Sequence, residues 1–448
     1  MLEELLYKKR ERILEFIDVA RNDEILNELR DLHEADIAEL LETFNHDDRL
    51  YVFNLLDKAI KPHVIIELEE SIKEYLIAEL DNETIAEIIE EVDSDEAVDI
   101  VQDLPITQQE EILSSVNREV AEEVTGLIHY DEDTAGGIMG LEFLSVDEDT
   151  KVEDVENLIK EYTEQDGDNF YNVWVTNKDG VLRGFVPLQD IISADNNALI
   201  KEITDEEVKY VYPDTDQEEV AILSQKYDLV SVPVIDYANK IIGVITFDDI
   251  QDVIDEEADE DIARLTGAGS VEISEQSSLK LSMARLPWLL VALVGELISA
   301  LVIFQFEKDL QKVVALSFFF PVIMAMAGNI GIQASAIIVR GLATGEINAF
   351  EIKRRLFREI RTTFYNGFIC AAILFGIVSI WLGNMMLGLT VSSALFAVVF
   401  LAAATGTLMP FLLNKFGADP AIATGPFITT SNDVFGLLIY LLIVTSVI

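Results

Sequence analysis

Hydrophobic positions follow three successive rhythms along the 448-residue chain. Over residues 1–130 apolar side chains recur every three or four positions with acids between them, the stripe of surface helices, and no alternating run points to a strand. Ile37-Ala-Glu-Leu-Leu-Glu42 and Ile85-Ala-Glu-Ile-Ile-Glu90 match at an offset of 48 residues, which predicts stacked helix pairs. From residue 138 the rhythm shortens. Phe143-Leu-Ser-Val, Tyr171-Asn-Val-Trp-Val and Val181-Leu-Arg-Gly-Phe-Val are β-rich runs broken by turn signals such as Asp179-Gly180, with a helical stretch from Val152 to Tyr162 between them. The same order returns in Val211-Tyr-Pro-Asp-Thr-Asp, a helix from Glu218, Val230-Ser-Val-Pro-Val and Ile241-Ile-Gly-Val-Ile-Thr. Gly184 then aligns with Gly243, and Asp190 with Asp249, at an offset of 59 residues. The pattern predicts a tandem α/β repeat.

A charged helical linker covers 248–283. Asp249, Asp252, Glu256 and Glu260 share one helix face, with Asp255, Glu257, Asp259 and Asp261 crowded beside them. Like charges at such spacings destabilise an isolated helix, and a counter-cation relieves the repulsion. From Leu286-Pro-Trp-Leu-Leu onward the third rhythm sets in. Five long apolar stretches, roughly 286–306, 313–340, 366–387, 391–413 and 424–448, are each long enough to span a bilayer. Lys353, Arg354, Arg355, Arg358 and Arg361 fall in the connection between the second and third stretches, and the positive-inside rule places that connection in the cytoplasm. The expected topology has the N-terminal half cytoplasmic, Glu307 to Lys312 outside, and the C-terminus extracytoplasmic.

Charge divides the chain at the same place. The net charge is −51, yet residues 284–448 carry ten basic and eight acidic side chains, so residues 1–283 alone carry −53. Such a field repels phosphate and argues against nucleic acid as a partner. A single cysteine, Cys370, rules out a disulfide framework or thiolate metal site. His33, His46, His63 and His129 have no zinc spacing, and no nucleophile elbow, Walker loop or HExxH is present. An enzyme is not expected.

Asp433 is the outstanding polar residue of the apolar half. A charged side chain inside a span costs about 2.5–3.5 kcal/mol on insertion scales, and such residues face a protein interior or a watery path. Gly425, Thr429, Asp433 and Gly436 form a small, oxygen-bearing stripe. Gly425-Pro-Phe-Ile-Thr-Thr-Ser-Asn-Asp433 is expected to break or kink its helix. Ala327-Gly-Asn-Ile-Gly-Ile-Gln333, preceded by Pro321, is a matching anomaly in the second stretch. Its glycines suit close helix packing, whereas Gly328, Asn329 and Gln333 supply oxygens that could face Asp433. Glu296, in the first stretch, is left with three roles: lining the path, pairing with Arg340, or protonated and inert. Carboxylates, amides, hydroxyls and carbonyls select hard cations, magnesium, calcium or manganese.

The repeat over 131–255 resembles a pair of CBS domains, which pack together and often bind adenine nucleotides. The whole chain resembles the MgtE family of magnesium channels, on Tyr130-Asp-Glu-Asp-Thr-Ala-Gly-Gly137, Arg285-Leu-Pro-Trp288, Ala327–Gln333, Arg340-Gly-Leu-Ala-Thr-Gly345 and Ala418-Asp-Pro-Ala421 through Asp433. The resemblance implies an all-α superhelical domain (1–130), the CBS pair (131–255), an acidic plug helix (248–283) and a five-helix transmembrane channel domain (284–448). It further implies a homodimer in the plasma (inner) membrane with its pore on the dimer axis and Asp433 as the pore aspartate. Regulatory magnesium would bridge Asp95, Asp99, Asp216, Asp228, Asp249, Asp252, Glu257, Glu260 and Asp261, with the backbone near Gly136, and hold the pore shut. ATP at the CBS pair is a further implication. Thr246-Phe-Asp-Asp249 keeps a Thr-x-x-Asp ribose pattern, whereas the first repeat, Pro187-Leu-Gln-Asp190, lacks the hydroxyl.

The leading expectation is a magnesium-selective import channel shut by cytosolic magnesium. A sodium-coupled magnesium transporter is the alternative, since helices broken at Pro321 and Pro426 would suit alternating access. A membrane-anchored nucleotide sensor is a third reading, which leaves the polar stripes in the membrane unexplained.

Overall fold

In a computed structural model the described backbone covers residues 2–165, 171–266, 278–343, 347, 352–416, 420 and 425–447. It divides into two compact units, Met1–Ile254 and Asp255–Ile448.

Ten helices run from Leu2 to Leu127 in the first unit. The 48-residue repeat is written into their ends. His33 caps helix Glu34–Glu42 as Asp81 caps Asn82–Ile89, each side chain accepting from a first-turn backbone N–H. Glu42 accepts from the backbone N–H of Glu69 at 2.8 Å, and Glu90, 48 positions on, accepts from Asn117 at 2.5 Å. These short helices cannot persist alone, and packing their apolar faces stabilises them. Ile25, Val52, Phe53, Ile65, Ile85, Ile89 and Ile100 are all 1% exposed or less and form one continuous core.

The α/β repeats follow. Strands β1 (Ser145–Asp147), β2 (Asn172–Thr176) and β3 (Leu182–Pro187) form one sheet, with β1 parallel and β3 antiparallel to β2. Strands β4 (Ser231–Ile235) and β5 (Ile241–Thr246) form an antiparallel pair, joined by a parallel bridge from Val211 to Val234. The offset of 59 recurs in three dimensions. Val175 faces Gly184 and Val234 faces Gly243, and the register shifts immediately after each pair. The repeats also exchange their lead-in segments. Gly140, before the first repeat, pairs with Val244 of the second, and Asp205, before the second, pairs with Phe185 of the first. Gly184 and Gly243 lie under these crossings. A Cβ at Gly184 would strike Thr204 and the Asp205 carbonyl, and one at Gly243 would strike Met139. Neither repeat is complete without the other. Met139, Val211, Val232, Val234, Ile245 and Val253 share the core of the helical domain, whereas the first repeat has its own core around Val155, Val173 and Val186.

The acidic helix runs Phe247–Thr266, and residues 267–277 lie outside the described residues. Among the described residues, five helices of the second unit are long and apolar enough to cross a membrane: Leu281–Gln305, Val314–Leu342, Ile352–Trp381, Met385–Lys415 and Phe427–Val447. The fourth is the central post, half buried, with Val391, Ala394, Val398 and Val399 among its inward residues. Only 11% of the first is covered, so it lies on the unit's rim. Tyr440 is fully buried and donates its hydroxyl to the Leu316 carbonyl at 2.9 Å.

Three sequence expectations change here. Pro321 and Pro426 begin helices (Phe320–Ala343 and Pro426–Val447) instead of breaking them. A proline in the first turn removes no helical hydrogen bond and its fixed φ suits the start. Ala327–Gln333 stays helical throughout. The basic cluster from Lys353 to Arg361 occupies the first turns of helix Ile352–Trp381 and not a loop, because Lys and Arg are good helix formers and extend the span past its apolar part.

Candidate functional site

Two clusters of polar side chains carry chemistry, one in each unit. The membrane cluster is built where three spans meet. Gly331 of the second span and Gly406 of the fourth touch backbone to side-chain position: a Cβ at Gly406 would collide with the Gly331 carbonyl, and one at Gly331 with the Asn432 amide. The glycines therefore serve close packing. Their closeness lets Asn432, 1% exposed, join all three helices. Its amide donates to the Ala327 carbonyl at 3.3 Å, and its carbonyl accepts from the Thr405 hydroxyl at 2.7 Å. Asp433 is the next residue in the chain, so this knot fixes the place of its backbone on the helix.

Asp433 faces the first span. Its carboxyl lies within hydrogen-bonding reach of the Glu296 carboxyl, and Gly295 beside it packs so closely on Thr430 that a Cβ would overlap the threonine methyl. Two carboxyls so placed repel unless a cation or a proton lies between them. Glu296 therefore stands beside Asp433 at this place in the unit. Asn329 and Gln333 lie exposed on the second span, and neither is hydrogen-bonded to Asp433 among the described residues. Thr429 is half-buried one turn before Asp433, and a Cβ at Gly328 would meet nothing within 4 Å. Residues 344–346, 417–419 and 421–424, which include part of the sequence motifs, lie outside the described residues.

The second cluster lies in the first unit, where helix Ser94–Gln102 meets the CBS pair. Ser94 is 4% exposed and is clasped from the other side: Glu142 accepts from its backbone N–H at 3.1 Å and from its hydroxyl at 2.9 Å, and the same hydroxyl accepts from the Leu141 N–H at 2.8 Å. A carboxylate at a helix N-terminus is doubly favoured, by the orphan N–H groups and by the helix dipole. This clasp brings Asp95 beside Gly140, where a Cβ would lie 3.8 Å from the Asp95 carboxylate. Burial, with Asp249, Glu96, Asp93 and Glu142 close by, pushes the Asp95 carboxyl well above the usual range. Burial likewise pushes Glu96 up to about 8, Asp99 to about 7, Asp103 to about 6 and Asp249 to about 6. Asp249 would lie higher still without the Thr246 backbone N–H and hydroxyl, which both donate to it at 2.7 Å.

One cation sits among these acids. Lys73 is 6% exposed, 2.7 Å from Glu70 and 4.0 Å from Glu96. Burial alone would lower its pKa, but Glu96 and Glu70 outweigh burial and keep it charged. It supplies one positive charge against Glu70, Glu96, Asp99 and Asp103.

The other sequence-selected residues are more dispersed. Asp216 caps helix Gln217–Tyr227 at its start, accepting from Glu218 N–H at 2.9 Å, and Asp228 ends it in the left-handed region at φ 54°. Both are exposed. Gly136 is wedged between the Tyr130 ring and the Pro213 carbonyl, to which its N–H donates at 2.9 Å. Asp252 is exposed near Asp249; Glu257 and Glu260 are half-buried on the acidic helix, and the side chain of Asp261 lies outside the described residues. Asp190 is exposed in the first turn of helix Leu188–Ser193, and the Thr246 hydroxyl is engaged by Asp249. Among the described residues no three acids or histidines converge as a ready metal cage. Magnesium does not require one, since it keeps several waters and binds through one or two carboxylates. Lys73, Ser94, Glu142 and Asn432 escaped sequence reasoning. Lys73 did leave a trace, as the only Lys or Arg between Lys61 and Arg118.

A family model described as a divalent cation transporter (MgtE) matches residues 320–443. The MgtE intracellular N domain matches 32–133, and CBS domains match 135–197 and 200–256. The magnesium transporter MgtE of Bacillus subtilis is 36% identical over 334 residues, 75% of this chain and 74% of that one. The Thermus thermophilus transporter is 36% identical over 71% of each chain. Among solved structures, the soluble part of a magnesium transporter matches with TM-score 0.50 and 30% identity, over 56% of this chain and 99% of that one. The cytosolic domain of the Mg2+ channel MgtE in complex with ATP matches with TM-score 0.51 and 30% identity, over 55% and 99%. With the helical domain, the exchanged CBS pair and the five spans in one order, the chain belongs to the MgtE family of magnesium transporters.

Proposed function

We propose that the protein is a magnesium-selective channel of the plasma membrane, formed by two copies and shut by cytosolic magnesium. The observation that carries this reading is the placement of Glu296 and Asp433 together on the least covered side of the membrane unit. Exposed Asn329 and Gln333 on the second span add to the polar groups a single copy leaves uncovered. Each charged group facing lipid would cost about 2.5–3.5 kcal/mol, and a second copy related by a two-fold axis would turn that cost into a hydrophilic path. Asp433, Thr429, Asn329, Gln333 and Gly328 would line it, with Glu296 beside Asp433. An ion that keeps its waters is served by carboxylate and amide oxygens at such a wall. An inside-negative potential would favour entry of a divalent ion by about 4.6 kcal/mol per 100 mV, so uptake needs no coupled ion.

The cytosolic junction supplies the gate's sensor. Asp95, Asp99, Asp249 and Asp252 would be bridged by hydrated magnesium in the compact form, with Asp216, Asp228, the backbone near Gly136, and Glu257, Glu260 and Asp261 of the acidic helix adding weaker sites. Carboxylates that lie protonated or repelling in the metal-free compact form bind a divalent cation with differential affinity for that form, which is what shifts a two-state equilibrium. ATP is the nucleotide proposed for the CBS pair, through Asp190 and Thr246. The sodium-coupled alternative is separated from this reading by whether magnesium flux requires sodium.

The test is cross-linking in membranes. With Cys370→Ser removing the native thiol, Asn329→Cys is expected to form a disulfide-linked dimer, and Ile380→Cys, 86% exposed on the third span, is not. Cross-linking at Ile380 and none at Asn329 would refute the two-fold path.

A further inference from the structure

The third span carries bases and rings on one stripe. Along helix Ile352–Trp381, Lys353, Phe357, Arg361, Phe364 and Phe368 follow one another every three or four residues, with Arg358 beside them. All of these side chains are exposed, Phe357 at 74%, while Thr363 and Gly367 turn into the unit. The rings are ordered among themselves. Phe364 stacks on Phe368 with centroids 6.4 Å apart and planes 10° apart, and meets Phe396 of the fourth span edge-on at 5.9 Å. At its basic end the stripe runs against local electrostatics. Lysine and arginine there face the positive end of the helix dipole, and no acid stands in the first turn to offset them. Glu359, the one acid of the helix, is half-buried on the other side. Helix propensity accounts for bases in these turns, but not for their sharing a stripe with three phenyl rings.

We propose that this stripe binds an anionic phospholipid, with its phosphate held by Lys353, Arg358 and Arg361 and its acyl chains laid along Phe364 and Phe368. Phe357 would stand at the boundary between headgroup and chains. Helical side chains lean toward the N-terminus, so the long Arg361 side chain reaches back to the headgroup level. The order of chemistry along the stripe, bases first and then rings, is the order within a single lipid. A free phosphate would leave the rings unused, and a neutral lipid would leave the charges unanswered. Only 22% of the span's most apolar stretch is covered within its own unit, which leaves a flank for a lipid to occupy. The inference rests on this helix being a membrane span, and stands apart from the channel reading and its gate.

The experiment is native mass spectrometry of the purified full-length protein, released from micelles holding phosphatidylglycerol and phosphatidylcholine in equal amounts. Retained phosphatidylglycerol is expected to exceed phosphatidylcholine about tenfold or more, since each basic group at a membrane surface contributes a factor of about five. The triple variant Lys353→Gln/Arg358→Gln/Arg361→Gln should bring the ratio to within about twofold of unity. Lys308→Gln/Lys312→Gln, which removes two bases from helix Glu307–Lys312, should leave it unchanged. Phe357→Ala/Phe368→Ala keeps every charge and should lower retained phosphatidylglycerol several-fold, and it decides the matter if the triple variant does not fold. Glycerol phosphate, a headgroup without chains, should not displace the lipid. Equal retention of the two lipids by the unaltered protein would overturn the proposal and leave the acidic N-terminal half of the chain as the partner of these bases. A preference that survives in a folded triple variant, or falls equally in Lys308→Gln/Lys312→Gln, would mean diffuse attraction and overturn it. Displacement by glycerol phosphate would reduce the site to a phosphate site and overturn it too.

Discussion

Asp433→Asn is expected to lower magnesium flux through the reconstituted protein about 10- to 100-fold while leaving its folding and dimerisation intact. The substitution keeps the shape and the hydrogen-bonding reach toward Glu296 but removes a charge. At about 4 Å and an effective dielectric of 20, one carboxylate attracts a divalent ion by about 8 kcal/mol in gross Coulomb energy. Most of that is offset by the waters and groups the ion gives up, and a charge-assisted contact is worth about 1.5–3 kcal/mol net, hence the range. Glu296→Gln should act in the same direction. Tracer uptake into liposomes at fixed potential measures both. Full flux in Asp433→Asn would remove the carboxylate pair from the path.

Lys73→Met is the second large effect. Breaking a buried ion pair by removing one partner typically costs about 3–5 kcal/mol, because the remaining charges stay buried and uncompensated. Here Glu70, Glu96, Asp99 and Asp103 would be left facing one another. If these acids form part of a magnesium-sensing surface, the metal can replace the missing ammonium. Hydrogen exchange of helix Ser94–Gln102 in the full chain should therefore accelerate strongly in Lys73→Met at low magnesium and recover most of its protection at high magnesium. Equal acceleration at every magnesium concentration would make Lys73 a purely structural lysine.

The periods of the sequence translated directly into structure. An offset of 48 became matched caps and matched Glu42 and Glu90 contacts, and an offset of 59 became matched register shifts at Gly184 and Gly243. Asp433 was visible because a charge in an apolar run is expensive and therefore conspicuous. What stayed hidden depends on which helix faces which. Glu296 and Asp433 stand 137 positions apart, and no period relates them. Ser94 and Glu142 meet only because the lead-in of the first repeat crosses to the second. Proline was misread for a local reason: its effect reverses between the first turn of a helix and its interior. Lys73 was hidden by composition, one base among many acids, although its isolation is what makes it the junction's counter-ion.

On the proposed reading, one protein both conducts magnesium and closes in response to it. Single-channel recording from purified protein in a sodium-free bilayer, with magnesium varied on the cytosolic face, addresses it most directly. Unitary magnesium currents are expected, with an open probability that falls as cytosolic magnesium rises. Absence of current, with tracer magnesium moving only after sodium is added, would contradict the channel and establish coupled transport.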